Sequence, residues 1–253
     1  MLKPSTRYRL SGMIHEDDPR FAVLGPEKIA TLAASEQIPP TYVTVPGGRQ
    51  VPQYAPTVFG TSIAYDPAGN CAGNFMSYRF QENNNCYNYS CNIASNSFAQ
   101  PGRMNGVFLT SPPTGPAVVQ GAMLDGLQEI QSTDPQELAA RAKAQAGAQA
   151  GAQDGVGHYV ALMISDADSS VGWPGDYHWA RCDQTDSVDS WSQKDGGDQV
   201  TNFDFAGNPI TWPPTANWTV NQGPLLQGNP NDIVVSYYFY TFMWVPPTGV
   251  QII

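Results

Sequence analysis

Cys86 follows Asn83-Asn84-Asn85 and precedes Tyr87-Asn88-Tyr89-Ser90, a setting that suits a loop running into the first turn of a helix. A helix N-terminus lowers a thiol's pKa, and a nearby imidazole can take its proton. Two later histidines are candidates for that base. His158 opens GHYVALMI, where His158, Val160, Leu162 and Ile164 fall on one face of a strand. His178 lies in DYHWARC with Tyr177 and Trp179 on its opposite face. If the two strands neighbour each other, His178 can orient the His158 ring as the third member of a triad. The chemistry expected is attack of the Cys86 thiolate on an amide or thioester carbonyl. His158 would move the proton, and backbone N–H groups at Cys86, with the Asn85 or Gln81 side chain, would steady the oxyanion. Tyr87, Tyr177 and Trp179 are the candidates for lining a substrate groove.

Other readings of the same residues stay open. Cys86 can be a small buried hydrophobe, or half of a disulfide with Cys91 or Cys71. A structural zinc site drawn from Cys71, Cys86, Cys91, Cys182 and the histidines lacks the tight Cys-x2-Cys pair, so no metal is expected. Asp166, Asp168, Asp195 and Asp198 do not follow a calcium-loop pattern. His15 lies in a charged stretch and reads as solvated. Trp173, Trp179, Trp191 and Tyr177 allow a carbohydrate-binding reading. No phosphate-cradling glycine loop is present, and no cofactor is expected.

The elements that must position these residues follow from pattern. Residues 1–60, with Pro39, Pro40, Pro46, Pro52 and Pro56 and short extended stretches such as TYVTV, read as an N-terminal arm or cap. Residues 61–253 read as the main domain. A short helix starts near Cys86 and ends before Pro101-Gly102. Val118, Val119, Met123, Leu124, Leu127 and Ile130 predict a helix over roughly 117–130. Asp134-Pro135-Gln136-Glu137 opens another, with an N-cap acid, proline at the first position and Glu three residues after the cap. That helix dissolves into the AGAQAGAQ repeat, a linker by composition. Strands are expected at 157–164, 176–182, 200–205 and, most strongly, 233–245.

The bulk numbers narrow the function classes. Lys and Arg total 12 against 22 Asp and Glu, a net charge of −10 with no basic cluster, so nucleic acid is excluded as a partner. Charged residues are 13 %, about half the ordinary share. No apolar run approaches the length of a membrane span, and MLKPSTRYRLSGMIHEDDPRF is not a secretory leader. A cytoplasmic or particle-associated protein is expected, or one exported by a route other than the general secretory one.

The order of a cysteine at a helix start, then GH before an apolar strand, then a polar residue on the next strand, resembles the papain-like and NlpC/P60 superfamily of cysteine hydrolases. NNNCYNYS, FAQPG, GHYVALMI and DYHW are also similar to bacterial and phage proteins of this type. The resemblance covers roughly residues 80–205. It lacks the Asp-Cys-Ser/Thr-Gly start of NlpC/P60 enzymes and the Cys-Gly-Ser-Cys-Trp start of papain. It implies an α+β fold with the cysteine-bearing helix packed on an antiparallel sheet. It also implies a peptidase or amidase with a Cys86-His158-His178 site acting on a peptide, peptidoglycan or protein substrate. The alternative is a structural or cargo protein of a phage particle or contractile injection machine, associating with a larger particle through residues 1–60.

Overall fold

The computed structural model describes residues 40–67, 75–76, 80–148, 157–223 and 232–253. His15, Cys71, the first 39 residues of the expected arm and the end of the AGAQ repeat lie outside them.

At the centre stands β6 (His158–Ser165), whose residues are all buried. A strand covered on both faces needs no polar alternation, which is why HYVALMIS reads as an almost continuous apolar run. β6 pairs with β7 (Asp176–Cys182), β7 with β8 (Trp191–Lys194), and β8 with β9 (Val200–Thr201), each antiparallel. On the other side β6 pairs with β12 (Tyr238–Val245), and β12 with the short β5 (Gln128–Glu129). The six-stranded order is therefore β5-β12-β6-β7-β8-β9.

The expected 233–245 strand is two strands. β11 (Val234–Ser236) leaves the main sheet to pair with β10 (Thr219–Asn221), and Tyr237 turns inward between β11 and β12. Tyr237 N–H donates to the Trp218 carbonyl at 2.9 Å and holds the break.

Two cores lie on the two faces of the sheet. One joins Val160, Leu162, Ile164, Tyr177, Trp179 and Met243 to the helices α1 (Cys86–Ser90) and α2 (Gly115–Leu124). The other joins Tyr159, Ala161, Met163, Ala180, Phe242 and Trp244 to Leu138 and Ala142 of α3 (Pro135–Ala148) and to Val235 of β11. Strands dominate this molecule. The papain-like α+β expectation is corrected by the six-stranded antiparallel sheet, against which the cysteine-bearing helix contributes only five residues.

Local sequence explains the helix limits. α1 opens on a reciprocal cap: Asn85 accepts from Asn88 N–H, and Asn85 N–H donates to the Asn88 side chain. α2 ends earlier than its apolar spacing predicts, because Gly126 adopts φ +108°. Leu127 N–H then reaches the Ala122 carbonyl and Gly126 N–H the Met123 carbonyl, a Schellman stop that frees residues 128–129 for β5. α3 begins where expected, with Asp134 Oδ1 accepting from Gln136 N–H at 2.8 Å.

Residues 40–60 supply a ribbon of β1 (Thr41–Thr44) and β2 (Gln50–Gln53), followed by β3 (Val58–Phe59). β3 pairs with β4 (Ile93–Ala94), just beyond α1. Val45 and Val51 form a small core with Ile253, against which Met104 and Phe108 pack.

Candidate functional site

Cys86 is the first residue of α1, as expected, but it is fully buried in the core shared with Tyr87, Val160 and Tyr177. Cys86, Cys91 and Cys182 are buried thiols rather than disulfides. Burial and the neighbouring Asp125 charge hold the Cys91 thiol well above its ordinary range, and burial pushes Cys182 up to about 12. Both directions disfavour the thiolate on which nucleophilic chemistry depends.

His158 lies on the α1 face of β6, with Nε2 at 2.7 Å from the Ser90 carbonyl oxygen. Burial, reinforced by the Arg181 charge and opposed by the Ser90 bond, lowers its pKa to about 3. His178 lies on the other face. The β6–β7 register pairs Leu162 with Trp179 and Met163 with His178, so His178 shares the face of Met163 while His158 shares that of Val160 and Leu162. The His178 ring packs on Phe205, Trp218 and Tyr237, with centroids 5.4, 5.5 and 6.1 Å away. Burial lowers its pKa to about 3, against a side-chain bond to Gln193. The sheet itself separates the two imidazoles, so His178 cannot orient His158.

The supporting residues have other work. Asn85 is occupied by the α1 cap and by a 2.8 Å bond from its amide to the Ala99 carbonyl. Gln81 offers its backbone carbonyl to the Lys194 ammonium at 2.5 Å. Tyr87, Tyr177 and Trp179 are fully buried and line a core rather than a groove. Trp173 and Trp191 are likewise buried, which removes the carbohydrate platform. Among the described residues no group of three His, Cys, Asp or Glu is placed to hold a metal ion, and no helix is long and apolar enough to cross a membrane.

The positions around α1 are instead a polar interior. Asn88 bonds Asn85 N–H, Ala99 N–H, the Ile93 carbonyl and the Ser95 hydroxyl at 2.8–3.2 Å. Asn84 and Asn96 exchange two bonds of 2.9 Å, and Asn96 also reaches the Pro56 carbonyl. Asparagine provides both a donor and an acceptor, so it can satisfy backbone that turns too tightly to pair with itself. The chain needs this here, because Asn92, Asn96 and Phe98 all have φ near +55°.

Two buried ionic clusters pin that region, and neither was anticipated from sequence. In the first, Asp125 accepts from Gly102 N–H at 2.8 Å, Tyr87 OH at 3.0 Å and the Asn105 amide at 3.0 Å. Burial raises its pKa to about 7 in spite of these donors. Arg103 donates to the Ile253, Ser97 and Phe98 carbonyls, and burial lowers its pKa to about 10. In the second, Arg181 stacks on the Tyr89 ring at 3.9 Å and donates to its hydroxyl. Ser192 joins Tyr89 to Asp183, whose pKa burial raises to about 7. A signal for the first cluster existed: Arg103 and Asp125 are the only charged residues between Asn83 and Gln128. Chemically, this is an arrangement that braces loops. It does not present a nucleophile.

The chain is 34 % identical over 138 residues to insoluble matrix shell protein 1 of Ruditapes philippinarum, a match covering 54 % of this chain and 72 % of that protein. No family model matches the chain. No solved structure matches it either.

Proposed function

The chain belongs to the family of insoluble matrix shell protein 1, and from that membership we propose that it is a structural component of an insoluble matrix. The similarity to a structural protein favours the structural alternative over the hydrolase, and it is the observation that carries the reading. It speaks for a building role, not for the phage particle or injection machine named with that alternative. The burial of Cys86 and the placing of the two histidines on opposite faces support the same choice. A buried polar network that braces a sheet on one side suits a protein kept for its shape.

The reading is tested by extracting the material that produces this protein first in buffer, then in concentrated salt, then in denaturant, and following the chain with an antibody. Recovery mainly in the denaturant fraction is expected, and complete release into buffer would overturn the proposal. A second measurement addresses catalysis directly. In a Cys71→Ser background, the folded chain is expected to resist an electrophilic thiol probe until denatured. Rapid labelling of Cys86 in the native state would revive the enzyme.

A further inference from the structure

We propose that Asn217 is a glycosylation site, carrying an N-linked oligosaccharide on its side-chain nitrogen. The acceptor sequence for that modification is Asn-x-Ser/Thr, with any residue but proline in the middle. This chain holds two, Asn88-Tyr89-Ser90 and Asn217-Trp218-Thr219. The fold treats them oppositely. Asn88 is fully buried in α1, and its amide nitrogen donates to the Ile93 carbonyl and the Ser95 hydroxyl. A sugar on that nitrogen removes both bonds and has no room in a close-packed interior, so a chain modified there does not reach this structure. Asn217 is exposed, two residues before β10. Its backbone is held on both sides: the N–H donates to Asp204 Oδ2 at 2.9 Å, and the carbonyl accepts from Phe205 N–H at 3.0 Å. Its side-chain oxygen accepts from Thr219 N–H at 2.9 Å, while its side-chain nitrogen makes no hydrogen bond among the described residues.

The neighbours leave the sugar room. Trp218, the bulky middle residue, turns inward: it is 4 % exposed, and its ring N–H donates to the Pro213 carbonyl at 2.9 Å. Thr219, whose hydroxyl completes the acceptor sequence, is exposed at the start of β10. Asn221, Val234 and Ser236 are exposed along the same β10–β11 ribbon, which gives an attached sugar an open surface to lie on. The reaction is transfer of a preassembled oligosaccharide from a lipid diphosphate by an oligosaccharyl transferase. The Asn217 nitrogen bonds the anomeric carbon and loses one proton; the bond from that carbon to the diphosphate oxygen breaks, and the lipid diphosphate leaves. The enzyme meets the chain while it is still extended, so both acceptor sequences are offered, and the fold tolerates the product at Asn217 alone. For the route, the proposal rests on the matrix reading, because a matrix laid down outside the cell is supplied by secretion. It departs from the non-secretory export expected from the first residues.

The test is mass spectrometry of the natural chain, taken from whichever extraction fraction holds it. Peptide-N-glycosidase in heavy-oxygen water turns each glycosylated Asn into an Asp that bears the label. The peptide holding Asn217 is expected to convert and the one holding Asn88 to remain Asn. Fragmentation of the untreated Asn217 peptide is expected to release N-acetylhexosamine ions, which covers sugars the enzyme does not remove. An Asn217 peptide bare by both measurements, or a labelled Asn88, overturns the proposal. In cells secreting the full chain, Asn217→Gln and Thr219→Ala are each expected to lose the same increment of mass. Ser90→Ala, which removes the other acceptor sequence at a hydroxyl without a bonding partner, is expected to lose none. Glycan mass kept by the first two variants, or lost by the third, places the sugar elsewhere and overturns the proposal. The two readings fail separately: a bare Asn217 in an insoluble chain sinks only the glycan, and a glycosylated chain released into buffer sinks only the matrix.

Discussion

At the residue scale, the asparagines and the buried charges have consequences that can be measured. Asn88 serves two donors and two acceptors in a region closed to water. Asn88→Ala strands all four, and each stranded group costs about 1–3 kcal/mol, offset partly by relaxation. We expect about 3 kcal/mol of lost stability in a denaturant titration, and an unchanged midpoint would show that the network is ornamental. The ionisable groups oppose one another. His158 and His178 have native pKa values of about 3, below their ordinary 6.5, so acid favours the unfolded chain as pH falls through that interval. Asp125 and Asp183 have native values of about 7, above their ordinary 3.8, so the folded chain binds their protons first and gains stability as pH falls from 7 towards 4. Two groups of each kind nearly cancel between pH 4 and 6.5. Asp125→Asn removes one acid and leaves the histidines in excess. Stability of that variant should drop by about 1.4 kcal/mol more per pH unit of acidification than the natural chain's. Equal slopes would mean that Asp125 is not protonated in the fold.

At the element scale, α2 offers a test in which two effects compete. Gly121→Ala improves intrinsic helix propensity by about 1 kcal/mol. A Cβ there would stand 2.7 Å from the backbone of Pro101, so α2 would have to move off the turn that carries Asp125's donor, Gly102. We expect the clash to dominate and the melting temperature to fall; a rise would show that the 101–102 turn yields freely. The same elements explain what could be read in advance. The strands at 158–165 and 176–182 and the starts of α1 and α3 were legible, since caps, prolines and β-branched runs are local signals. The histidine geometry was not. Whether His178 shares a face with His158 depends on the parity of pairing between β6 and β7, which ten loop residues, 166–175, set without any periodic signature. The fold class failed for a related reason. A sequence shows that helices are present, but not that α1 is one short turn against a sheet covered on both sides.

At the scale of the whole molecule, the position of β12 governs how the chain reaches its shape. β6 finds β7 across one loop, but its other neighbour, β12, arrives more than seventy residues later in the sequence. Closing so long a loop is entropically slow, whereas the β6–β9 meander forms from near neighbours. Refolding should therefore pass through a stage in which the β6–β7 amides are already protected from hydrogen exchange and those of β12 are not. Pulse labelling that protects both at once would exclude this order. During that interval His158–Ser165 is a bare, apolar strand edge, the kind that recruits any extended chain nearby. A weakened β12 would then spill the protein into aggregates before it was ever native, and material found in an insoluble fraction could have been assembled or merely misfolded. Protection of β12 amides in that fraction is the mark that separates the two.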